Sequence, residues 1–254
     1  PPMVEDAYAF GRIAAANALS DLYAMGAEPV SAMNIVAFPE EEDMDILDAI
    51  LQGGAEVCEE AGATLTGGHS IHDPKIKYGL SVIGKLKLSE VLRNNTPEVG
   101  DALYLTKPLG VSLLMSGYQV DEVSEEDYQR AVDSMCRLNK GAYEVLRKYD
   151  VHALTDVTGF GLLGHLCEMA EGASAVVLSD QLNILPAPRK PLKASSSPPA
   201  ANAIARPMAT KSPLKSTTSP WKKFSTIPKP PAACSWPLRR SGGRSCCAAW
   251  RTRG

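Results

Sequence analysis

Four stretches of the chain hold residue types that could do phosphate chemistry. The first is Thr155-Asp156-Val157-Thr158-Gly159-Phe160-Gly161-Leu162-Leu163-Gly164, which runs from an expected strand, through a carboxylate, into an expected helix start. Backbone N–H groups at such a terminus can hold a phosphate, and an Asp at a strand end can hold a magnesium ion. The same residues suit a plain turn, in which the Asp accepts hydrogen bonds and the glycines supply positive φ. The second stretch is Gly67-Gly68-His69-Ser70. Its glycines would let backbone approach a ligand closely, and it offers an imidazole and a hydroxyl; a tight turn between two strands explains it equally. The third is Asp21, in a helical stretch with Asn17, Ser20 and Tyr23. A carboxylate there is a metal ligand or a solvated or paired surface group. In the fourth, Leu105-Thr106-Lys107-Pro108-Leu109-Gly110, Lys107 follows an expected strand and could meet a phosphate or be simply exposed.

Other chemistries find less support. There is no P-loop and no GxGxxG after a strand, so nucleotide binding would rest on carboxylates and magnesium. His72, His152 and His165 lack metal-ligand spacing and read as surface or packing residues. Cys58, Cys136 and Cys167 fall at helical positions among apolar neighbours, where packing is the expectation. The six cysteines contain no CxxC, which points to reduced thiols and a cytoplasmic setting. No apolar run approaches the ~18–20 residues that span a bilayer, so no membrane is expected.

The elements that would position these residues alternate between helix and strand. Apolar residues recur at helical spacing over residues 6–25, with Gly26 as a terminator, and again over 44–61, with Gly62 after it. Residues 30–38 form a mostly apolar run suited to a buried strand. Residues 63–66 and 78–87 read as strands on either side of the 67–70 loop. A turn-rich break at Asn94-Asn95-Thr96-Pro97 precedes an expected strand at 102–105. Ser124 caps an expected long helix toward Tyr149, with Glu125 and Glu126 in its first turn. Residues 153–155 and 174–178 read as strands around a helix at 161–170. The fold class is therefore α/β (α+β), divided into domains at 1–92 and 93–186.

Charge divides the chain more sharply still. Residues 1–186 hold all 29 acidic residues and 12 basic ones, a net −17; residues 187–254 hold 14 basic residues and no acid, a net +14. All three Trp and 11 of 19 Pro lie in that second stretch, whose composition predicts a low-complexity basic tail without regular structure.

Read together, the motifs resemble selenophosphate synthetase (selenide, water dikinase), of the aminoimidazole ribonucleotide synthetase-like superfamily. The blocks that carry the resemblance are Phe10-Gly11-Arg12-Ile13-Ala14-Ala15, Asn17-Ala18-Leu19-Ser20-Asp21 and Ala24-Met25-Gly26. They are followed by Gly67-Gly68-His69-Ser70-Ile71, Lys77-Tyr78-Gly79-Leu80, the Leu105–Gly110 run and Asp156 through His165, in the family's order over residues 1–186. The resemblance implies a two-subdomain fold with an N-terminal ATP-binding domain. It implies that ATP, selenide and water give selenophosphate, phosphate and AMP, with Mg2+ as cofactor. Asp21 and Asp156 match magnesium ligands; Asp21, Gly68, His69 and Ser70 match residues that reach ATP, the loop doing so from the partner subunit of a homodimer.

Two departures go with it. The family's catalytic Cys or selenocysteine, its catalytic Lys and further aspartates have no counterpart after Pro1, so no catalytic residue is assigned and this chain as it stands is expected to be inactive. His72 also stands where an Asp is common. The tail has its own explanation. Back-translated and read one base out of frame, the stretch from Trp221 to Pro237 permits Asp-Pro-Gln-Thr-Ser-Gly-Gly-Leu-Leu-Leu-Ala, which resembles the family's C-terminal signature. A one-base shift near Pro186 is the expectation, and resequencing the DNA tests it. Two alternatives remain. One is a superfamily relative acting on another phosphate acceptor; the other is a binding protein whose basic tail contacts nucleic acid, disfavoured because its basic residues lack regular spacing.

Overall fold

In the computed structural model the described residues are 2–186, 234–235 and 247–250. The chain forms two compact units, residues 1–94 with 132–156, and residues 95–131 with 157–254. The tail lies outside the described residues except for two short strands, and with it the expected frame shift.

The first unit is built on a helix pair and a three-stranded sheet. Helix α1 (Ala7–Ala24) starts where the Asp6 carboxylate accepts the Ala9 N–H at 2.8 Å. Helix α2 (Met44–Ala61) is capped by Asp43 and ends on Gly62, whose φ of 81° is the left-handed turn that glycine adopts freely. The two helices cross with backbones in contact. A Cβ on Gly11 would collide with the Ile50 carbonyl, and one on Gly53 with the Tyr8 carbonyl. Between them in the chain comes β1 (Glu28–Phe38), the central strand of the order β2-β1-β3. It pairs in parallel with β2 (Thr64–His72), the α2 crossover intervening, and antiparallel with β3 (Lys77–Lys85).

One face of this sheet meets a core that includes Ala15, Leu19, Tyr23, Ala32, Val57, Cys58 and Ala63. Leu138 and Tyr143 join that core, which is why residues 132–156 belong to the first unit. Tyr143 stacks obliquely on Tyr23 and donates its hydroxyl to the Gly26 carbonyl at 3.0 Å. Arg147 lies over the Tyr143 ring and pairs with Glu28 at 2.8 Å. Burial pushes the Tyr23 hydroxyl up to about 12, so it stays neutral. The opposite face of the sheet leaves Met33, Ile35, Ile71 and Ile83 exposed.

The second unit holds α3 (Val111–Tyr118), the start of α4 (Glu125–Cys136), α6 (Gly161–Met169) and β4 (Ser174–Val177). Helix α5 (Lys140–Leu146) belongs to the first unit. Ser124 accepts the Asp127 N–H at 3.2 Å and opens α4 as a cap should. Among the described residues no helix is long and apolar enough to cross a membrane.

Several expectations change. Residues 67–70 are not a loop between strands but the middle of β2, because β1 continues alongside and pairs from Asn34 to Phe38 with Gly68 to His72, after a register shift at Thr66 and Gly67. The single helix expected from Ser124 to Tyr149 is broken into α4 and α5 around Leu138 and Asn139. Leu138 there is drawn into the core. Residues 102–105 and 153–155 are not strands. A strand needs a partner ladder, and in these regions the described pairings are the Leu109–Ile184 bridge and the bond from Leu154 N–H to the Arg93 carbonyl. In the tail the described residues are β5 (Cys234–Ser235) and β6 (Cys247–Trp250), and β6 pairs in parallel with β4. β6 lies between β4 and β5, and Cys-Ala-Ala-Trp is uncharged and free of Pro and Gly, which suits a strand paired on both sides.

Candidate active site

The site begins on α1. Successive helix residues point about 100° apart, so Ser20 turns into the protein, 6% exposed, while Asp21 beside it faces outward. The half-buried Asp156 reaches the same place from the end of the irregular segment that follows α5. Leu154, two residues earlier, is pinned by its N–H bond to the Arg93 carbonyl at 3.0 Å. The Ser20 hydroxyl donates to Asp156 Oδ2 at 2.8 Å. Asn139 Nδ2 donates in turn to Ser20 Oγ at 3.0 Å.

Asp21 feels this neighbourhood electrostatically. Loss of surrounding water raises its pKa above the ordinary carboxylate value, and the negative charge of Asp156 adds to the effect. A carboxylate whose ionisation is disfavoured by burial and by a neighbouring carboxylate marks a place where a cation is welcome. Among the described residues no cluster of three or more His, Cys, Asp or Glu is arranged to hold a metal. The pair therefore suits a cation that takes its remaining ligands from water or phosphate, as Mg2+ does.

The other sequence-selected residues stand apart from this pair. Gly68, His69 and Ser70 lie along exposed β2, and among the described residues no hydrogen bond joins them to Asp21 or Asp156. Side chains alternate along a strand. His69, opposite Ile35, is on the sheet face that carries Met33 and Ile71; Ser70, opposite Val36, is on the other. Gly68 has a packing reason of its own, because a Cβ there would run into the backbone of Asn34, just after the register shift at Thr66 and Gly67 of β2. Lys107 lies in the bend before Leu109.

Two residues that the sequence reading passed over hold the loops. Asn139 was invisible because its partner Ser20 lies 119 residues away in the chain. His165, read as an ordinary packing residue, is 9% exposed and accepts the Thr158 N–H at Nε2, 3.1 Å away. It thereby closes the turn that enters α6, with Phe160 edge-on to its ring. Thr158 and His165 are only seven residues apart, so the available signal was local, within the motif that enters α6.

The N-terminal domain profile of AIR synthase related proteins matches residues 1–86, and the C-terminal domain profile matches residues 98–204. The chain belongs to the AIR synthase related family. A selenide, water dikinase of Desulfitobacterium hafniense (strain DSM 10664 / DCB-2) is 54% identical over 177 residues, 70% of this chain and 52% of the relative. The chain thus spans about half the length of the curated relatives it matches. Among solved structures, thiamine-monophosphate kinase from Stenotrophomonas maltophilia K279a superposes with a TM-score of 0.62 at 23% identity, over 77% of this chain and 64% of that one. Hydrogenase maturation protein HypE in complex with ATP gives 0.58 at 21% identity, over 78% and 57%. These two establish the mixed α/β fold.

Proposed function

We propose that the chain is the ATP- and metal-handling part of an enzyme that makes selenophosphate from ATP, selenide and water, releasing AMP and phosphate. The observation that carries this reading is the convergence of Asp21 and Asp156 from distant parts of the sequence. The sequence likeness to selenide, water dikinases supports the substrate.

In this reading Asp21 and Asp156 hold Mg2+, and Asp21 also contacts ATP. The ion, when bound, neutralises phosphate charge at the site of transfer. The chain's own residues prepare the place: Ser20 fixes one oxygen of Asp156, and the negative charge of Asp156 leaves Asp21 ready for a positive partner. Gly68, His69 and Ser70 would reach the nucleotide from a second copy of the chain, in the cytoplasm. The open sheet face with Met33, Ile35, Ile71 and Ile83 suits such a homodimer, since exposed apolar surface gains by being covered.

Calorimetric titration of the purified chain with ATP in excess Mg2+ tests the reading. Saturable binding is expected, with a loss of at least tenfold in Asp156→Asn, because an uncharged amide is a poor ligand for a hard cation. Unchanged binding in that variant would defeat the assignment. The purified chain by itself is expected to form no AMP from ATP and selenide, and robust turnover would overturn that expectation; sedimentation checks the dimer, which Ile35→Glu is expected to dissociate.

A further inference from the structure

Asn139 occupies the residue before the first turn of α5, a position where asparagine ordinarily accepts a backbone N–H and stabilises the helix start. Here it makes no such bond. Its amide instead donates to Ser20 Oγ at 3.0 Å, and Ser20 donates to Asp156 Oδ2 at 2.8 Å. Neither bond is imposed by the local chain, since the partners are 119 and 136 residues apart. A cap residue that forgoes its cap to hold a buried serine has a role beyond its own helix.

The direction of the relay matters. An amide NH2 can only donate, so Asn139 occupies an acceptor position of the Ser20 oxygen and leaves the hydroxyl proton for the carboxylate. Asp156 is thereby held through Oδ2, leaving Oδ1 for a cation. Asp21 comes from the residue next to Ser20, so the same turn of α1 carries one carboxylate and orients the other.

We propose that Ser20 and Asn139 are positioning residues for the Asp156 carboxylate, acting in series, Asn139 through Ser20. This rests on the reading of Asp156 as a cation ligand. It adds that the affinity of the site for a divalent ion is set by two uncharged residues that do not themselves touch the ion. Groups that orient a ligand in this way commonly change metal affinity by about 10- to 100-fold when removed.

The test is Mn2+ binding to the full chain, followed by the electron paramagnetic resonance signal of free Mn2+, with no nucleotide and no turnover. Asn139→Ala and Ser20→Ala are each expected to weaken binding by about tenfold. In the double variant the loss should equal that of Ser20→Ala alone, because Asn139 has nothing to act through once the hydroxyl is gone. Asn139→Ala should also keep a melting temperature close to the parent's, since it removes no helix cap. A purely structural role would instead lower the melting temperature and leave Mn2+ affinity unchanged. Asp156→Asn separates the two levels of inference. If it abolishes Mn2+ binding while Ser20→Ala and Asn139→Ala bind like the parent, the relay is overturned and the cation site stands. If it binds Mn2+ as tightly as the parent, both are overturned. Additive losses in the double variant would also overturn the series arrangement.

Discussion

The two units of the chain are held together in different ways. In the first, an eleven-residue central strand is paired on both edges, and two eighteen-residue helices cross each other closely enough for glycine backbones to touch the facing helix. Its core residues Ala15, Leu19 and Val57 are wholly removed from water. In the second, the helices confined to it have eight and nine residues, the strand β4 has four, and buried side chains such as Leu114 and Leu166 sit on short elements. Isolated helices of that length are marginal, and packing must hold them. The lesson is that similar burial of one side chain does not imply a similar frame around it.

Leu19 and Leu114 turn that contrast into numbers, since they are 0% and 1% exposed. Leu19→Ala leaves a hole between long, mutually braced elements that cannot collapse to fill it, and a loss of about 4 kcal/mol is expected. Leu114→Ala, on an eight-residue helix, leaves neighbours freer to relax, and about 2 kcal/mol is expected. Urea unfolding with hydrogen exchange resolved by segment measures both. Equal losses would erase the distinction between the units.

The second unit's own fastening is His165. Its Nε2 accepts the Thr158 N–H, and the ring also lies 3.2 Å from the Thr158 hydroxyl. His165→Ala leaves a partly buried N–H without an acceptor, at a cost of about 2 kcal/mol. The expected sign is faster amide exchange over residues 158–161, with exchange in α1 and α2 unchanged. Faster exchange throughout the first unit would show that the two are not separately held.

How far the sequence reveals all this follows the same division. Helix α2 spans the expected residues because its apolar period, and the glycine after it, agree with the tertiary structure. β1 was legible for a similar reason, as an apolar run closed by Pro39. The Gly67-Gly68 pair misled, since glycine announces a turn and here serves a strand, Gly67 taking the positive φ of a register shift and Gly68 lying against Asn34. The runs at 102–105 and 153–155 have strand chemistry, but strand chemistry is realised only by a partner. At the site, residue type singled out Asp21 and Asp156. Their proximity was not legible, because 136 residues separate Ser20 from Asp156 and no local pattern records a contact of that range. Asn139 escaped for the same reason, whereas His165, whose partner Thr158 is seven residues away, reads as an ordinary packing residue until the turn before α6 is in place.

The smallest effect expected is at the site itself, and it has an unusual sign. Asp21 has its pKa raised from the ordinary 3.8 by partial loss of water and by Asp156. A carboxylate raised in the folded state binds its proton more tightly there than in the unfolded chain, so its ionised form costs stability above the folded pKa. Asp21→Asn removes that cost and is expected to stabilise the metal-free chain at pH 7. Asp21 is exposed, and water screens much of the repulsion, so the gain stays below about 1 kcal/mol. The advantage should shrink as pH falls through the raised value and vanish below 3.8, where both forms of the chain carry a neutral group. Adding Mn2+ should reverse the order, since the parent gains stability from the ion and the variant, short of one ligand, gains less. Thermal melting at two pH values, with and without Mn2+, reads all of this. If Asp21→Asn is less stable than the parent in the absence of the ion, the two carboxylates are not in conflict, and the site is not one kept open for a cation.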